Sequence, residues 1–405
     1  MRTEILTGGE IDNKYKDIAE ELKQEFINHM IPYWQGLTDN GFGGFYGVMN
    51  QDLSLDKKAD KGGILNSRIL WFFSNAYTKF RDESYLRTAT HAYEYLKSAF
   101  LDKEKGGIYW SVSYDGVAQD STKHTYCQSF AIYGLASYYE ASGDKEALDI
   151  AYSLFDIIET KCRDKDGYLE AFDRDFQPAS NEKLSENGVI ATRTMNTILH
   201  VMEAYTELYR VDKNENVADK IKEILVIFRD KIYDPSKERL EVFFDKDYNS
   251  IIDLHSFGHD IETAWLIDRT IEVLELHGTQ YDLTDMTKVL TNKIYEVAYN
   301  GNSVPAESEN GVVLETRIWW VQSESMVGFM NGYEKTGREE YYDAVVKIWK
   351  YVKRYIIDVR RGSEWYSDVD KDGKPVPGMP ITNEWKCPYH NGRMFIELMN
   401  RFSKK

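Results

Sequence analysis

A short aromatic segment followed by a turn rich in Asp, Asn and Gly recurs along this chain at intervals of about 60 to 70 residues. Alternating aromatic residues that lead into such a turn are typical of a β-hairpin. The clear members lie at 43–47 with 50–52, 106–110 with 114–116, 167–172 with 173–175, 240–244 with 245–247, and 364–367 with 370–373. A further member, at 301–311, is degenerate, with turn residues but little strand character. A repeat of this period constrains the fold strongly, because each unit must pack against its neighbours.

Between these segments the apolar residues recur at spacings of three and four, which predicts amphipathic helices in pairs. The paired ranges are 64–77 with 85–100, 126–139 with 147–162, 194–209 with 217–232, 260–276 with 286–299, and 323–333 with 341–357. One unpaired helix, 11–30, precedes the pairs, and another, 389–402, follows them. These two helices would complete a sixth pair, whereas an open solenoid would need polar caps at both ends. We therefore predict an all-α fold, an (α/α)6 barrel of six helical hairpins in a closed ring with short β-hairpins in the connecting loops, as a single domain over 1–405.

Charge and cysteine content limit the partners and the compartment of the chain. The net charge of −17 and the pI near 5.1 argue against nucleic acid and anionic membranes, which attract basic patches. Cys127, Cys162 and Cys387 are odd in number and lack the spacing of a disulfide framework, which favours a reducing compartment. The chain start becomes charged at once, and no run approaches the roughly 20 apolar residues of a membrane span. We expect a soluble, cytoplasmic monomer.

The residues that can carry chemistry fall at one place in the repeat, near the start of the first helix of each pair. In a ring of helical hairpins these first helices form the inner wall, so that their equivalent ends converge on one mouth. The residues at this place are Arg68, His124, Tyr126, Asn196, His200, His259, Glu262, Trp319, Trp320, Glu324, Trp385 and His390. Imidazole takes and gives protons near neutrality, and aromatic faces pack on sugar rings. The shared position predicts proton-transfer chemistry on a polar ligand that stacks on aromatic rings.

Several of these residues also have an ordinary structural interpretation. Arg68 lies between apolar turns and could be a core arginine paired with a carboxylate. His200 could be a hydrogen-bonded core histidine. Trp319 and Trp320 are adjacent, so we expect one ring in the core and the other against a ligand. The aromatic content of 14% is compatible either with a tightly packed helical core or with a carbohydrate site.

His255, His259 and Glu262 require a metal test, because two histidines at i and i+4 with a carboxylate are a common ligand set. Ser256 and Gly258 resemble helix-start residues, so His255 is expected to precede the helix and point elsewhere. His259 and Glu262, at i and i+3, share a face, and we expect the carboxylate to orient the imidazole. We predict neither a metal nor a cofactor. The chain also contains no Gly-x-Ser-x-Gly, P-loop or dinucleotide glycine motif.

Ordered motifs over essentially the whole chain match a known family. They lie at 61–71, 123–126, 184–188, 194–200, 258–262, 319–324 and 385–393. On these motifs the chain resembles the cellobiose 2-epimerases of the N-acylglucosamine 2-epimerase superfamily. The last motif is more similar to the disaccharide epimerases than to the N-acylglucosamine enzymes.

The resemblance implies inversion at C2 of the reducing-end sugar of cellobiose, and similarly of lactose and mannobiose. It implies that His259 and His390 are the general acid and base. The residues it implies for substrate binding or for stabilising the intermediate are Arg68, Tyr126, His200, Glu262, Trp319, Trp320, Glu324 and Trp385, and Asn196 joins them by its position in the repeat. The expected partner is therefore a small disaccharide, without nucleic acid or membrane.

The chemistry explains why these residue types are needed. The sugar must open, a base must remove the C2 proton to give a cis-enediol or enediolate, and a proton must return to the opposite face. Arg68 and His200 would donate hydrogen bonds to the oxygens where charge develops. No redox cofactor is needed, because the open-chain aldehyde acidifies the C2 proton.

Other functions stay open at this point. An (α/α)6 glycoside hydrolase would need two carboxylates that flank the scissile bond, for which Glu262 and Glu324 could serve. A mannose isomerase or an N-acylglucosamine 2-epimerase of the same superfamily would act on a monosaccharide. A helical-repeat interaction protein would give no reason for histidines, arginine and tryptophans to share one position in the repeat.

Overall fold

The computed structural model describes residues 14–185 and 187–403 of the chain. The charged chain start, the predicted helix start at residue 11 and Glu186 of the motif at 184–188 lie outside the described residues. The helices are α1 (Lys16–Glu25), α2 (Ile31–Gly36), α3 (Gly63–Phe80), α4 (Glu83–Tyr95), α5 (Thr125–Ser142), α6 (Lys145–Lys161), α7 (Met195–Asp212), α8 (Glu215–Ile227), α9 (Phe257–Val273), α10 (Thr284–Val297), α11 (Trp319–Thr336), α12 (Glu339–Tyr351) and α13 (His390–Phe402). Wider π-helical turns follow α1, α4, α8 and α12, at Phe26–Met30, Leu96–Phe100, Phe228–Ile232 and Val352–Ile356. The predicted helix pairs are confirmed by these bounds.

Helices with two kinds of burial alternate along the chain. The first helix of each pair is buried almost all round over its first turns, as in α3 and α5, which is typical of an inner helix. The second helix buries one stripe, as α4 does with Tyr85, Ala89, Ala92 and Tyr93. The inner helices α3, α5, α7, α9, α11 and α13 pack each against the next, and α13 also packs against α3 and α1. Among the described residues, no helix has both the length and the apolar character that crossing a membrane requires.

A two-residue connection makes most helix pairs antiparallel. Its first residue takes a left-handed conformation, at Arg81, Gly143, Lys213 and Gly337, and ends the inner helix. In three of these connections the second residue caps the outer helix, since the side chains of Asp82, Asp144 and Asn214 accept hydrogen bonds from Ser84, Glu146 and Asn216 backbone N–H groups at 2.8–2.9 Å. Each outer helix therefore lies directly against its inner partner.

Short antiparallel strands occupy the loops at the opposite end. They are β1 (Val48–Met49), β2 (Leu55–Asp56), β3 (Lys61–Gly62), β4 (Ser111–Val112), β5 (Ala118–Asp120), β6 (Arg163–Asp164), β7 (Gly167–Tyr168), β8 (Arg193–Thr194), β9 (Tyr233–Asp234), β10 (Arg239–Leu240), β11 (Phe243–Phe244), β12 (Leu254–Ser256), β13 (Glu307–Glu309), β14 (Val312–Leu314), β15 (Arg317–Ile318) and β16 (Asp368–Val369). The sheets are β1–β2, β3–β4–β5, β6–β7, β8–β11, β9–β10, β12–β13–β14 and β15–β16. The strands β3, β8, β12 and β15 directly precede inner helices and pair with a strand of the following unit, so these sheets tie neighbouring units together.

The segment 301–311 departs from its prediction. It contributes to one of the best-formed hairpins, in which β13 and β14 pair over three residues each and β12 adds a third strand. The turn is Asn310-Gly311, with φ of 49° and 78°. An Asn-Gly pair with both φ angles positive fits the twist of a two-residue hairpin, and this dipeptide is the sequence signal for the turn. The prediction of little strand character was therefore wrong.

Buried ion pairs anchor the starts of several inner helices. A cation two residues before the helix start pairs with an aspartate that follows an outer helix in the loops. The pairs are Lys61 with Asp39 at 2.7 Å, Lys123 with Asp102 at 3.1 Å, and Arg193 with Asp164 at 2.6 Å. The cation side chains are fully buried, so these contacts fix the helix starts more firmly than surface pairs would.

We expect Lys61→Met to lower the free energy of unfolding by about 3–5 kcal/mol, measured by urea denaturation. The substitution leaves the Asp39 carboxylate buried without its cation and also removes the hydrogen bond from Lys61 Nζ to the Gly43 carbonyl. Adding Asp39→Asn should recover part of the loss, because it removes the unpaired charge. Lys165→Met is the control, since that side chain is 89% exposed, and it should change stability by less than about 0.5 kcal/mol. A Lys61→Met protein as stable as wild type would contradict the anchoring role.

Candidate active site

A cavity of about 330 Å³ opens where the inner helices begin. Its size lies within the usual range of small-molecule sites. The predicted site residues that line it are Arg68, Tyr126, Asn196, His200, His259, Trp319, Trp320, Trp385 and His390. Apart from Trp385, which lies in the loop before α13, all of them fall in the first six positions of an inner helix. The N-terminal ends of these helices therefore face the cavity, where their partial positive charge favours a negatively charged group.

Two imidazoles share one tryptophan in the cavity. The ring centroids of His259 and His390 lie 4.8 Å and 5.2 Å from that of Trp320. His259 Nδ1 lies 2.7 Å from the Ser256 hydroxyl, and His390 Nδ1 lies 2.7 Å from a Glu324 carboxylate oxygen. Each Nδ1 is thus held by the protein, and no described residue hydrogen-bonds to either Nε2. The two Nε2 atoms are left for a ligand.

The surroundings of His259 and His390 keep both imidazole rings in the neutral form. Burial, with a smaller contribution from His200, lowers the pKa of His259 to about 3. Burial, followed by the positive charges of Arg68 and Arg393, lowers the pKa of His390 well below its usual value. At neutral pH each ring can therefore accept a proton at Nε2.

Arg68 is a buried cation without an acidic partner. It is 2% exposed, donates a hydrogen bond to the Tyr126 hydroxyl at 2.8 Å, and lies over the rings of Phe130 and Tyr389, its guanidinium carbon 4.0 Å and 4.5 Å from their centroids. No carboxylate of the described chain forms an ion pair with it, and its Nε has no hydrogen-bond partner there. The interpretation of Arg68 as a core arginine paired with a carboxylate is therefore wrong. An uncompensated buried charge is costly, and an anionic ligand would offset that cost.

His200 lies beside Arg68 in the same wall. Its Nδ1 is 2.9 Å from Glu203, and its ring packs edge-on against Tyr126 with centroids 5.1 Å apart. Burial lowers its pKa. His200 is thus both a hydrogen-bonded histidine, as its ordinary interpretation held, and a residue of the cavity wall.

Trp319 and Trp320 both line the cavity, so the expectation that only one of them reaches it was wrong. They are the first two residues of α11, where the helix has no preceding turn to cover them. Trp319 Nε1 and Asn196 Oδ1 have no hydrogen-bond partner among the described residues. A donor and an acceptor left free on the lining residues are what sugar hydroxyls require.

A buried cluster lies behind the cavity wall. The Arg393 guanidinium donates hydrogen bonds to Glu203, Glu262, Glu324 and the Tyr389 hydroxyl. Sequence reasoning did not assign a role to Arg393 or Glu203. The signal was available, because each stands three residues after a candidate histidine, on the same helix face.

The expected pairing of Glu262 with His259 was wrong. Glu262 bonds to Arg393, and its other oxygen has no partner in the described chain. Neither Glu262 nor Glu324 lines the cavity, and Glu324 rather than Glu262 holds an imidazole, that of His390. Glu262 does not pair with His259 because the positively charged Arg393 guanidinium binds the carboxylates of both Glu262 and Glu324.

Burial and mutual repulsion oppose full ionisation of the two carboxylates in this cluster. Burial, then the Glu324 charge, raises the pKa of Glu262 well above its usual value despite Arg393. Burial also raises the pKa of Glu324. Ligand atoms of Glu262, Glu324 and His390 lie within 4.8 Å of one another, a spacing that could hold a metal ion. The Arg393 guanidinium, however, already bonds to both carboxylates, so the place of a cation is taken by a side chain.

His255 and His124 serve the structure rather than the cavity. His255 Nε2 lies 2.9 Å from Asp260, so it points away from His259 as expected. His124 caps α5 by accepting from the Tyr126 N–H, and its Nε2 lies 2.9 Å from Asn181 Oδ1. Burial lowers the pKa of His124 to about 4, although the Asn181 hydrogen bond opposes this. The prediction that His124 belongs to the site, which rested on its position in the repeat, was therefore wrong.

We expect His124→Asn to flatten the dependence of stability on pH. Since the unfolded histidine has a pKa near 6.5 and the folded one is lower, stability that is present above pH 6.5 is lost as pH falls from 6.5 towards 4. Between pH 7.5 and pH 5 the free energy of unfolding should decrease in both proteins. The decrease should be about 2 kcal/mol smaller in the variant than in wild type. Asn retains the helix cap. His277→Asn, at a residue whose side chain is 53% exposed, is the control; an unchanged slope in His124→Asn would contradict a buried neutral imidazole.

Loop residues complete the cavity and were not predicted. Lys183, Ser256, Glu307, Ser367, Asp368, Asn383 and Lys386 are the polar members of this group. They lie in loops or short strands, where the helical periodicity that revealed the other site residues is absent.

Known proteins are similar to this chain over nearly its whole length. The family model described as N-acylglucosamine 2-epimerase matches residues 44–390. A protein of Ruminococcus albus named cellobiose 2-epimerase is 48% identical over 384 residues, which are 95% of this chain and 99% of that protein.

Solved structures give the same fold. The structure of cellobiose 2-epimerase from Bacillus thermoamylovorans has a TM-score of 0.92 at 44% identity, with 95% of this chain and all (100%) of that chain covered. A D-mannose isomerase structure has a TM-score of 0.80 at 19% identity over 94% of this chain and 97% of that chain, which shows a shared fold alone.

Proposed function

Because the chain belongs to the N-acylglucosamine 2-epimerase family, we propose that it inverts C2 of the reducing-end glucose or mannose of cellobiose and of other β-1,4-linked disaccharides such as lactose and mannobiose. One observation carries the chemistry: two neutral imidazoles, His259 and His390, flank Trp320 in a cavity that also contains an unpaired Arg68. The names of relatives 48% and 44% identical to this chain support the disaccharide substrate.

The reaction begins with ring opening, in which a neutral imidazole takes the proton of the anomeric hydroxyl and passes it to the ring oxygen as the bond between C1 and that oxygen breaks. The exposed aldehyde acidifies the hydrogen on C2. The Nε2 atom of one imidazole takes this proton, the C–H electron pair forms the C1–C2 double bond, and the carbonyl electron pair moves onto O1. The product is a cis-enediolate bound in the cavity.

The enediolate is stabilised by donors that are already in place. Arg68 lies beside Tyr126 and can donate to the developing oxyanion without reorganisation. His200 donates through Nδ1 to the Glu203 carboxylate, so its neutral ring offers Nε2 as an acceptor for a sugar hydroxyl and not as the donor expected from the sequence. The N-termini of the inner helices add positive potential. Arg68 should interact most strongly with the negative charge of the enediolate, because no carboxylate of the described chain forms an ion pair with it.

The negative charge of the enediolate then favours protonation of the second imidazole by water. Inversion follows when this imidazole returns the proton to the opposite face of C2, and the first imidazole releases its own proton to water. Closure of the sugar ring completes the epimer, and the reverse reaction exchanges the roles of His259 and His390. Glu324 fixes His390 through Nδ1, and Ser256 fixes His259 in the same way. Each ring therefore presents Nε2 to the substrate.

The remaining site residues divide into two groups. We assign sugar binding to Tyr126, Asn196, Trp319, Trp320 and Trp385, whose rings and free polar atoms line the cavity. Glu262 and Glu324 act through Arg393 and His390 instead of touching substrate.

The proposal includes one catalytic domain built as a closed (α/α)6 ring with hairpins in its loops. Packing of α13 against α3, and of α1 against α13, supports closure by the chain ends. Closure matters for function because it brings residues of α3 and α13 to the same cavity.

The hydrolase alternative has less support. It requires two carboxylates beside the scissile bond, and Glu262 and Glu324 are held by Arg393 behind the wall. An isomerase would use the same enediolate but return the proton to C1, so product analysis must separate the two.

The test is incubation of the protein with cellobiose in D₂O, followed by NMR and mass spectrometry. The proposal predicts glucosyl-mannose with deuterium at C2 and no free glucose. Glucose release would indicate a hydrolase, and a ketose as the main product would indicate an isomerase. Tests with free glucose, mannose and N-acetylglucosamine identify a monosaccharide enzyme.

A further inference from the structure

Asp368 lines the cavity but takes no part in the proposed proton transfers. It begins β16 and stands opposite Ile318 of β15, directly before Trp319. Its neighbour Ser367 accepts a hydrogen bond from the Trp319 N–H at 3.0 Å. Asp368 is 9% exposed, and with Ser367 and Lys386 it forms part of the cavity wall.

The Asp368 carboxylate lacks the partner that other buried acids near the site have. Glu203, Glu262 and Glu324 bond to Arg393, and Glu364 bonds to Lys386. No described cation lies within ion-pair distance of Asp368. The Lys386 ammonium acts on it electrostatically but is held by Glu364.

A buried carboxylate in this state has unused capacity as an acceptor. Each oxygen can accept two hydrogen bonds, and among the described residues the adjacent Ser367 hydroxyl is the one side chain that donates to Asp368. Burial also raises the pKa of Asp368, a sign that its surroundings do not solvate the charge. Hydroxyl donors from a ligand would restore the missing solvation.

Asp368 makes no contact with the two histidines of the reaction centre among the hydrogen bonds and ion pairs of the described residues. The reaction centre is the group formed by His259, Trp320 and His390, whereas Asp368 belongs to β16, which pairs with the strand directly before Trp319. A carboxylate that accepts from two neighbouring hydroxyls suits a sugar and contributes nothing to proton transfer at C2. We propose that Asp368 is a substrate-binding residue that selects the disaccharide by accepting hydrogen bonds from sugar hydroxyls other than those on C1 and C2. This inference rests on the proposed epimerase function.

The first experiment compares Asp368→Asn with wild type by steady-state kinetics on cellobiose. Loss of the charged acceptor should raise KM about tenfold or more and change kcat by less than about threefold, because the lost contact is equal in ground and transition states. Asp370→Asn is the matched control: it is the same substitution two residues further on, in an exposed turn where Asp370 accepts hydrogen bonds from the backbone N–H groups of Asp372 and Lys374. The control should keep the wild-type KM.

The second experiment starts from wild-type protein, so that its first comparison does not depend on the folding of a variant. Wild-type protein is assayed with cellobioses that lack one hydroxyl at a time at positions other than C1 and C2. At least one analogue should raise KM about tenfold, and with Asp368→Asn that same analogue should cause little further loss.

Each outcome decides a separate question. A wild-type KM for Asp368→Asn, or no analogue with a raised KM, would overturn the binding role. A fall in kcat at unchanged KM would place Asp368 at the reaction centre and also overturn it. Wild-type protein that does not epimerise cellobiose defeats the proposed function itself, which is a distinct result.

Discussion

His390→Asn is expected to lower kcat for epimerisation of cellobiose by about 10²–10⁴-fold, the usual contribution of a positioned acid or base. His390 lies in the cavity with its Nδ1 held by Glu324 and its Nε2 left for the substrate. Asn is small enough for the site and can still meet Glu324, so the fold should persist. The measurement is conversion of cellobiose by NMR, with circular dichroism to check the fold.

The same variant tests whether one imidazole serves each face of C2. If it does, the epimer whose C2 hydrogen faces His259 should still exchange with D₂O in His390→Asn, without inversion, and the other epimer should not. His277→Asn, a substitution at an exposed histidine, controls for loss of an imidazole anywhere in the chain. Turnover close to wild type in His390→Asn would remove His390 from the mechanism.

The sequence could predict the position of the site because helical periodicity repeats. Arg68, His200 and Glu262 each occupy the sixth position of their inner helix, so their common height follows from the repeat alone. Periodicity gives the face of a helix but not what another helix inserts opposite that face. Arg393 comes from α13, 131 residues beyond Glu262, and its charge changed the partner of that carboxylate.

The connecting segments were predicted less well, for a different physical reason. Two-residue strands carry too few positions to show alternation, and their partners lie in the next unit, as β8 shows by pairing with β11. Asp368 belongs to such a strand. Its lack of a counter-ion is a property of the packed chain and leaves no mark on the local sequence.

Arg68→Met is expected to separate catalysis from stability. The substitution removes the donor to the enediolate, so kcat should fall about 10²–10³-fold. It also removes a buried cation that has no ion-pair partner among the described residues, so the free energy of unfolding should stay at the wild-type value or rise. The two quantities are measured by NMR of cellobiose conversion and by urea denaturation.

Arg193→Met is the matched control for this prediction. Arg193 is equally buried, but it bonds to Asp164 and to the Tyr168 carbonyl, and it does not line the cavity. Its replacement should lower the free energy of unfolding by about 2 kcal/mol and leave kcat near wild type. An Arg68→Met protein that is less stable yet turns over normally would show Arg68 to be a structural residue. A structural arginine stabilises the fold, whereas an oxyanion donor is buried at a cost in stability. The two variants should therefore change the free energy of unfolding differently: Arg193→Met lowers it, and Arg68→Met leaves it unchanged or raises it.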